Sequence, residues 1–263
     1  MSNTMRVDHR RVGAGITVLA LALGLALTPA HAQQSASEPQ AMSNNQAASQ
    51  TLSAKQQAIP LIAASMAVSD IPKLNAALNR GLDAGLTINE AKEILVQLYA
   101  YVGFPRSLNA LGELMKVVEA RKQRGIQDAP GREPSKAVPI GDELRAIGTA
   151  NQTKISGAPV AGPLFDFAPV INQFLQTHLF GDIFERDNLD WQSRELATVG
   201  ALAATPGVES QLSSHMAASI RVGLSPAQLR QFIQELEKWG DTAGADRART
   251  ALTQALATLN VRE

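Results

Sequence analysis

The chain has 263 residues and a mass of 27.9 kDa, which is enough for one large domain or two small ones. Alanine and leucine supply 42 and 30 residues while aromatic residues make up 4%, a composition that favours helices over strands. The 24 basic and 24 acidic residues balance, so the charge gives no argument for nucleic-acid binding. Cysteine is absent, which excludes disulfides, cysteine-ligated metals and thiol catalysis. We therefore expect an all-α protein.

The N-terminal segment has the pattern of a cleaved export signal. Three arginines precede the apolar run 12–27, and Ala30-His31-Ala32 has the small-x-small form of a cleavage site. That apolar run is short for a membrane span, and no later segment is apolar enough for one. The sequence predicts that residues 1–32 are a signal peptide, that the mature chain begins at Gln33, and that the protein is periplasmic or secreted without a membrane anchor.

Two helical blocks follow a polar linker. Residues 33–50 are rich in Gln, Ser, Asn and Ala, and this composition predicts a disordered linker. The blocks cover 51–123 and 166–263, and a Pro- and Gly-rich connector, 124–165, separates them. Helix starts are indicated by residues suited to capping, several of them in capping boxes. These predicted caps are Ser53, Asp70, Thr87, Asp190 and Ser225.

The order of breaks and helix starts in the first block recurs in the second. Gly85-Leu86-Thr87 corresponds to Gly223-Leu224-Ser225 at an offset of 138 residues. Tyr101-Val102-Gly103 likewise corresponds to Trp239-Gly240 as the end of a helix. We interpret this as an internal duplication of a helical unit. The alternative is two unrelated pairs of helices.

One carboxylate and one imidazole in the second block are placed to meet. Glu195 lies before the helix-breaking Pro206 and His215 lies after it, so in an antiparallel hairpin both would sit about 14–16 Å from the turn. A carboxylate at that level can hydrogen-bond the imidazole and fix its tautomer for acid/base catalysis. The alternative is a solvated glutamate and a core histidine. At the 138-residue offset the first block has Gln57 and Ala77 instead.

These residues lie within motifs that resemble the carboxymuconolactone decarboxylase family, which is related to alkylhydroperoxidase D. The similarity covers most of residues 53–257. The motifs that carry it are His178-Leu-Phe-Gly-Asp-Ile-Phe-Glu-Arg186, Arg194-Glu195-Leu196, the 215–223 stretch, Gly85-Leu-Thr-Ile-Asn-Glu90 and Tyr101-Val-Gly-Phe-Pro-Arg106. The resemblance implies an all-α fold of duplicated helical-hairpin units and self-association as a trimer or hexamer. It also implies that Glu195 and His215 occupy the family's acid/base positions.

The resemblance further implies which chemistry remains. The hydroperoxidases of the family use a Cys-x-x-Cys pair before the histidine, and this chain has Val208 and Gln211 there, so thiol peroxidase activity is excluded. The decarboxylases act without cysteine and without a cofactor. In that chemistry a carboxylated lactone loses carbon dioxide, and Glu195 and His215 would shuttle the proton that replaces it.

Three further residues are candidates for the site. Arg186 or Arg194 would bind the substrate carboxylate bidentately, and His178 would act as a second acid or hydrogen-bond donor. The alternatives are surface ion pairs for the arginines and a core or interface position for His178.

No metal site is expected, because the mature chain has no His-x-x-x-His or Glu-x-x-His spacing. Two functions follow from this reading. The first is an exported lyase or isomerase that acts on a small carboxylated lactone or keto acid. The second is a non-catalytic oligomeric protein that keeps the scaffold and binds a small ligand.

Overall fold

Helices account for all the regular secondary structure in residues 50–261, the part of the chain that the computed structural model describes. The predicted signal peptide 1–32 and the predicted linker as far as residue 49 lie outside these residues. Within the described range, no helix is long and apolar enough to cross a membrane. The all-α prediction is confirmed.

The first block contains five helices. They are α1 (Ala54–Ala67), α2 (Ile71–Asp83), α3 (Ile88–Gln97), α4 (Tyr99–Val102) and α5 (Phe104–Gln123). The predicted caps of this block are confirmed, because Ser53 and Thr87 form complete capping boxes and the Asp70 carboxylate accepts from the Lys73 amide.

Four helices of the second block follow the predicted order. They are α9 (Trp191–Ala204), α10 (Glu209–Arg221), α11 (Pro226–Lys238) and α12 (Thr242–Leu259). The Asp190 and Ser225 caps are confirmed, and Pro226 occupies the first turn of α11, where its missing N–H costs nothing.

The positions of these helices follow the predicted offset closely. Ile71 and Glu209, which begin α2 and α10, are 138 residues apart, and so are Asp83 and Arg221, which end them. Helices α3 and α11, and helices α5 and α12, begin at the same spacing. The two blocks therefore share the order of their helices and nearly the same helix lengths.

One hydrophobic core joins the blocks. It contains Ile59 and Ile94 from the first block and Leu196 and Phe232 from the second, all fully buried. Helices α1 and α9 form the most extensive helix pair in this core. They approach closely because Gly200 has no side chain: a Cβ there would lie 2.7 Å from the Pro60 backbone.

The connector contains more structure than its proline content indicates. The connector forms α6 (Gly141–Ser156) and begins α7 (Pro163–Phe167), and the second block opens with α8 (Pro169–Phe174) and a nine-residue π-helix (Leu175–Ile183). Helix α6 packs along the π-helix, and Gly148 makes this possible because a Cβ at that position would overlap the Gln176 carbonyl oxygen at 1.7 Å. The connector thus covers part of the second block.

Candidate active site

The predicted carboxylate–imidazole pair is present where α9 and α10 pack together. The His215 Nδ1–H donates to Glu195 Oε2 over 2.9 Å. Glu195 is completely buried, while the His215 side chain is 16% exposed. Because Nδ1 faces the carboxylate, Nε2 is the ring nitrogen left for proton exchange with a ligand. The positional prediction from the helix turn is confirmed, and the bonded carboxylate fixes the tautomer.

Tyr101 completes this group from the first block. It lies on α4, and its ring meets the His215 ring edge-on with centroids 5.4 Å apart. Its buried hydroxyl has no hydrogen-bond partner, and neither has Glu195 Oε1. Burial raises the pKa of Tyr101 well above its usual value, and the Glu195 charge raises it further, against a smaller opposing effect of the nearby Thr198 hydroxyl. The phenol therefore stays neutral as a buried donor.

Sequence reasoning placed Tyr101 only at a helix end. The sequence feature that could have identified Tyr101 as a site residue is its position at the start of the Tyr101-to-Arg106 motif. A tyrosine next to the end of a helix can point away from that helix.

A cavity of about 270 Å³ lies beside His215. Helix α6, the π-helix and α10 form its wall. The lining residues are Ile155, Ser156, Phe180, Ser214, His215, Ala217, Ala218 and Arg221. A volume of this order suits a small metabolite rather than a polymer. The connector helix therefore contributes directly to the site, which the sequence did not indicate.

Arg186 and Arg194, which were predicted to bind the substrate carboxylate, lie in an ion-pair cluster away from this cavity. Arg194 is fully buried, and its Nη2 donates to Glu93 Oε1 over 2.9 Å and to the Arg186 carbonyl over 2.7 Å. Arg186 also binds Glu93, with Nε 3.0 Å and 3.1 Å from the two carboxylate oxygens. Both guanidinium groups are thus committed to one buried carboxylate of the first block, and neither lines the cavity.

The Glu93 cluster is a structural link between the blocks. Asn188 Nδ2 also donates to Glu93, and Gln97 accepts from Arg194 Nη1 and donates to the Arg194 carbonyl and the Thr198 hydroxyl. Burial by itself raises the pKa of Glu93, but the hydrogen bonds and charges of the two arginines outweigh it and leave the pKa below its usual value. The two arginines thus pair with a buried carboxylate of the other block rather than in the surface ion pairs that were the alternative.

His178 lies apart from the Glu195–His215 pair. It is on the π-helix, its side chain is 47% exposed, and its Nδ1 is 2.7 Å from Asp182 Oδ2. Its ring contacts Tyr99 at a centroid distance of 5.5 Å, and it does not line the cavity beside His215. The structure gives His178 a local partner on its own helix and no contact with the pair.

A larger groove of about 780 Å³ lies elsewhere, between α3 and α5. Its wall is mostly apolar, and its ionisable residues are the exposed Lys92, Lys116 and Glu119. Catalytic sites need polar groups that converge on one point, and the cavity beside His215 has them while this groove does not. We therefore place the candidate active site at His215.

Among residues 50–261, no group of three or more His, Asp and Glu side chains is arranged to hold a metal ion. The groups that converge at the cavity are instead those of proton transfer.

Comparison with known families gives a match to the second block. The model of the carboxymuconolactone decarboxylase family matches residues 169–257, a range that includes Glu195, His215 and the π-helix. The first-block motifs at 85–90 and 101–106 lie outside that match. Among curated proteins, none matches this chain. Residues 169–257 thus form a cysteine-free domain of the carboxymuconolactone decarboxylase family, which belongs to the alkylhydroperoxidase D-like superfamily.

Proposed function

We propose that this protein is an acid/base enzyme that decarboxylates or isomerises a small carboxylated lactone or keto acid. The hydrogen bond between His215 Nδ1 and the buried Glu195 is the observation that carries the proposal. A buried carboxylate hydrogen-bonded to an imidazole that lines a cavity is the arrangement required for proton transfer to a bound ligand. The family match adds a precedent for decarboxylation on this fold.

The proposed reaction balances without a cofactor. Loss of carbon dioxide breaks the bond between the carboxylate carbon and the ring carbon, and the electron pair remains on the ring as an enolate. His215 Nε2–H gives its proton to that carbon, and Glu195 stabilises the imidazolium before the proton is given up. For an isomerisation the same histidine removes the proton first and returns it at another carbon. The neutral Tyr101 hydroxyl supplies a further donor near the pair.

The assay that tests the function uses the purified chain and a panel of carboxylated lactones and β-keto acids. Carbon dioxide release measures decarboxylation, and deuterium incorporation from heavy water measures proton transfer even without decarboxylation. We expect at least one of the two on a member of the panel. If neither signal appears with any member of the panel, the proposed enzyme activity is wrong and the ligand-binding alternative is favoured.

The mature protein is also proposed to self-associate as a trimer or hexamer. Helix α5 exposes Phe104, Leu108 and Met115, with 60%, 64% and 70% of their surface accessible, beside the apolar groove. Apolar side chains grouped in this way favour burial against another surface. Light scattering at micromolar concentration measures the mass, and a clean monomer would contradict the proposal.

Two further proposals concern the origin and location of the chain. We infer that the two blocks descend from one duplicated helical unit, supported by the constant spacing between their helix starts. We also propose export to the periplasm or the medium, supported by the signal-like pattern before Gln33. Mass spectrometry of exported protein would show a terminus at Gln33, and an intact Met1 would contradict export with cleavage.

A further inference from the structure

Arg221 is exposed and, unlike Arg186 and Arg194, has no carboxylate partner among the described residues. It ends α10 and lines the same cavity as His215. Its one side-chain hydrogen bond within the described range is a long contact of 3.4 Å from Nη1 to the Ile155 carbonyl. By contrast, Arg194 and Arg186 share Glu93. The charge of Arg221 is therefore available to a ligand.

The backbone of α6 is shaped to receive this guanidinium. Gly157 ends α6 with a φ of +80°, in the left-handed region, and a Cβ there would lie 2.5 Å from Arg221 Nε. The arginine thus packs directly on a bare Cα, next to the Ile155 carbonyl that accepts from it. A side chain at this position would require the guanidinium to shift.

The rest of the wall fits an anion with a small apolar body. Arg221 is the only permanent charge among the described lining residues, and no acidic side chain accompanies it. Ser156 and Ser214 supply hydroxyl groups, while Phe180 and Ile155 supply apolar surface. A guanidinium without a counterion matches a carboxylate in both charge and planar shape, since it can donate two parallel hydrogen bonds.

We propose that Arg221 binds the carboxylate of an anionic ligand in the cavity beside His215, the role that sequence reasoning assigned to Arg186 or Arg194. This inference rests on the proposed function for the ligand being a substrate, but the binding step requires no turnover. The carboxylate would then be held at one end of the cavity while His215 faces the part of the molecule that gains or loses a proton.

The test is isothermal titration of the purified chain with laevulinate, a small keto acid that does not readily lose carbon dioxide, and with its uncharged amide. We expect Arg221→Ala to weaken laevulinate binding about 10- to 100-fold, the range for losing a hydrogen-bonded charge partner, and Arg221→Lys to restore part of the loss. The amide should bind the wild type and Arg221→Ala equally. Arg249→Ala is the matched control, because Arg249 is a surface residue paired with Glu237 and Asp246.

Circular dichroism on each variant reports whether the helices are intact, and Arg221→Gln, which keeps much of the side chain, covers the case in which the alanine variant unfolds. Unchanged laevulinate affinity in a folded Arg221 variant would overturn the inference, and so would the absence of wild-type binding at millimolar laevulinate. If binding depends on Arg221 but the protein turns over no substrate, the anion site is supported and the proposed enzyme activity is contradicted.

Discussion

The two blocks of this protein have nearly the same helices, yet only the second carries an acid/base pair. In the second block, Glu195 and His215 are hydrogen-bonded on neighbouring helices. In the first, the corresponding positions hold Gln57, whose amide donates to the Leu52 carbonyl, and Ala77, which is fully buried. Corresponding helices therefore carry a carboxylate–imidazole pair in one block and an amide and a buried methyl group in the other.

The first block still contributes to the surroundings of the pair in the second. Tyr101, at the end of a first-block helix, packs against His215, while its counterpart Trp239 donates to Ser65 of the first block. Glu93 of the first block pairs with two arginines of the second, Arg186 and Arg194. Each block thus completes the surroundings of the other, and the second block alone would lack part of its site.

The largest expected effect comes from substituting the pair itself, which is the main difference between the blocks. Glu195→Gln and His215→Ala should each lower kcat/KM by about 10²- to 10⁴-fold, the usual contribution of general acid/base catalysis. Their effects should be strongly non-additive, because two members of one proton relay fail together. Turnover of a carboxylated lactone by the single and double variants measures this, with circular dichroism to check the helices.

The control for this experiment lies in the other block. Gln57→Ala should leave activity almost unchanged, since the Gln57 side chain hydrogen-bonds the Leu52 carbonyl and lies in the block without the pair. Wild-type turnover in His215→Ala would remove the mechanism, and activity lost only in Gln57→Ala would move the site to the first block.

A second variant tests the ion pairs of Glu93, which link the two blocks. Glu93→Gln should lower the free energy of unfolding by about 3–5 kcal/mol, because it leaves two guanidinium groups without a buried counterion. Urea titration measures the change. The exposed Glu119→Gln is the matched control and should change stability by less than about 0.5 kcal/mol.

This difference should depend on pH in a defined direction. The pKa of Glu93 is below the ordinary value of 4.5, so its contribution is complete above that value and is lost as the pH falls through the folded-state pKa. The gap between wild type and Glu93→Gln should therefore narrow in acid, because a protonated glutamate resembles glutamine. A gap that stays constant down to the acid transition would contradict this account of the cluster.

Two glycine substitutions test how closely the connector helix α6 packs on the second block. The connector has no counterpart within the first block. Gly148→Ala should cost about 1–3 kcal/mol, because the new Cβ would overlap the Gln176 carbonyl in the packed helices. Gly112→Ala, on α5 with no neighbour within 4 Å, should instead stabilise the protein by up to about 1 kcal/mol through helix propensity. Thermal unfolding followed by circular dichroism distinguishes the two signs. Equal effects would mean that α6 does not pack closely on the π-helix.

The smallest expected effect concerns Tyr101 and Trp239, the corresponding aromatic residues that each contact the other block. Tyr101→Phe should lower kcat roughly tenfold with little change in KM, since it removes one hydrogen-bond donor near the pair. Its stability should not fall, because the hydroxyl has no partner in the folded chain. Trp239→Phe is the counterpart and should leave kcat unchanged. Equal kcat for wild type and Tyr101→Phe would reduce Tyr101 to a packing residue.

The sequence alone determined the helical blocks and the meeting of Glu195 with His215. Helix starts depend on contacts within three residues, so the cap at Ser53 or Asp190 can be identified without knowing the fold. The pair is a similar case, because helical rise fixes the level of two residues on either side of one turn. The π-helix could not be predicted in this way, because no local sequence pattern distinguishes it from an α-helix.

Only the tertiary structure decided which charges pair between the blocks and which line the cavity beside His215. Arg194 is adjacent to Glu195 in sequence, but its carboxylate partner, Glu93, is 101 residues away. Arg221 lines the cavity because the connector helix crosses α10 there and ends in a glycine. Ion pairing and cavity formation depend on how distant helices pack, and helix packing is set by the shape of the whole core rather than by neighbours along the chain.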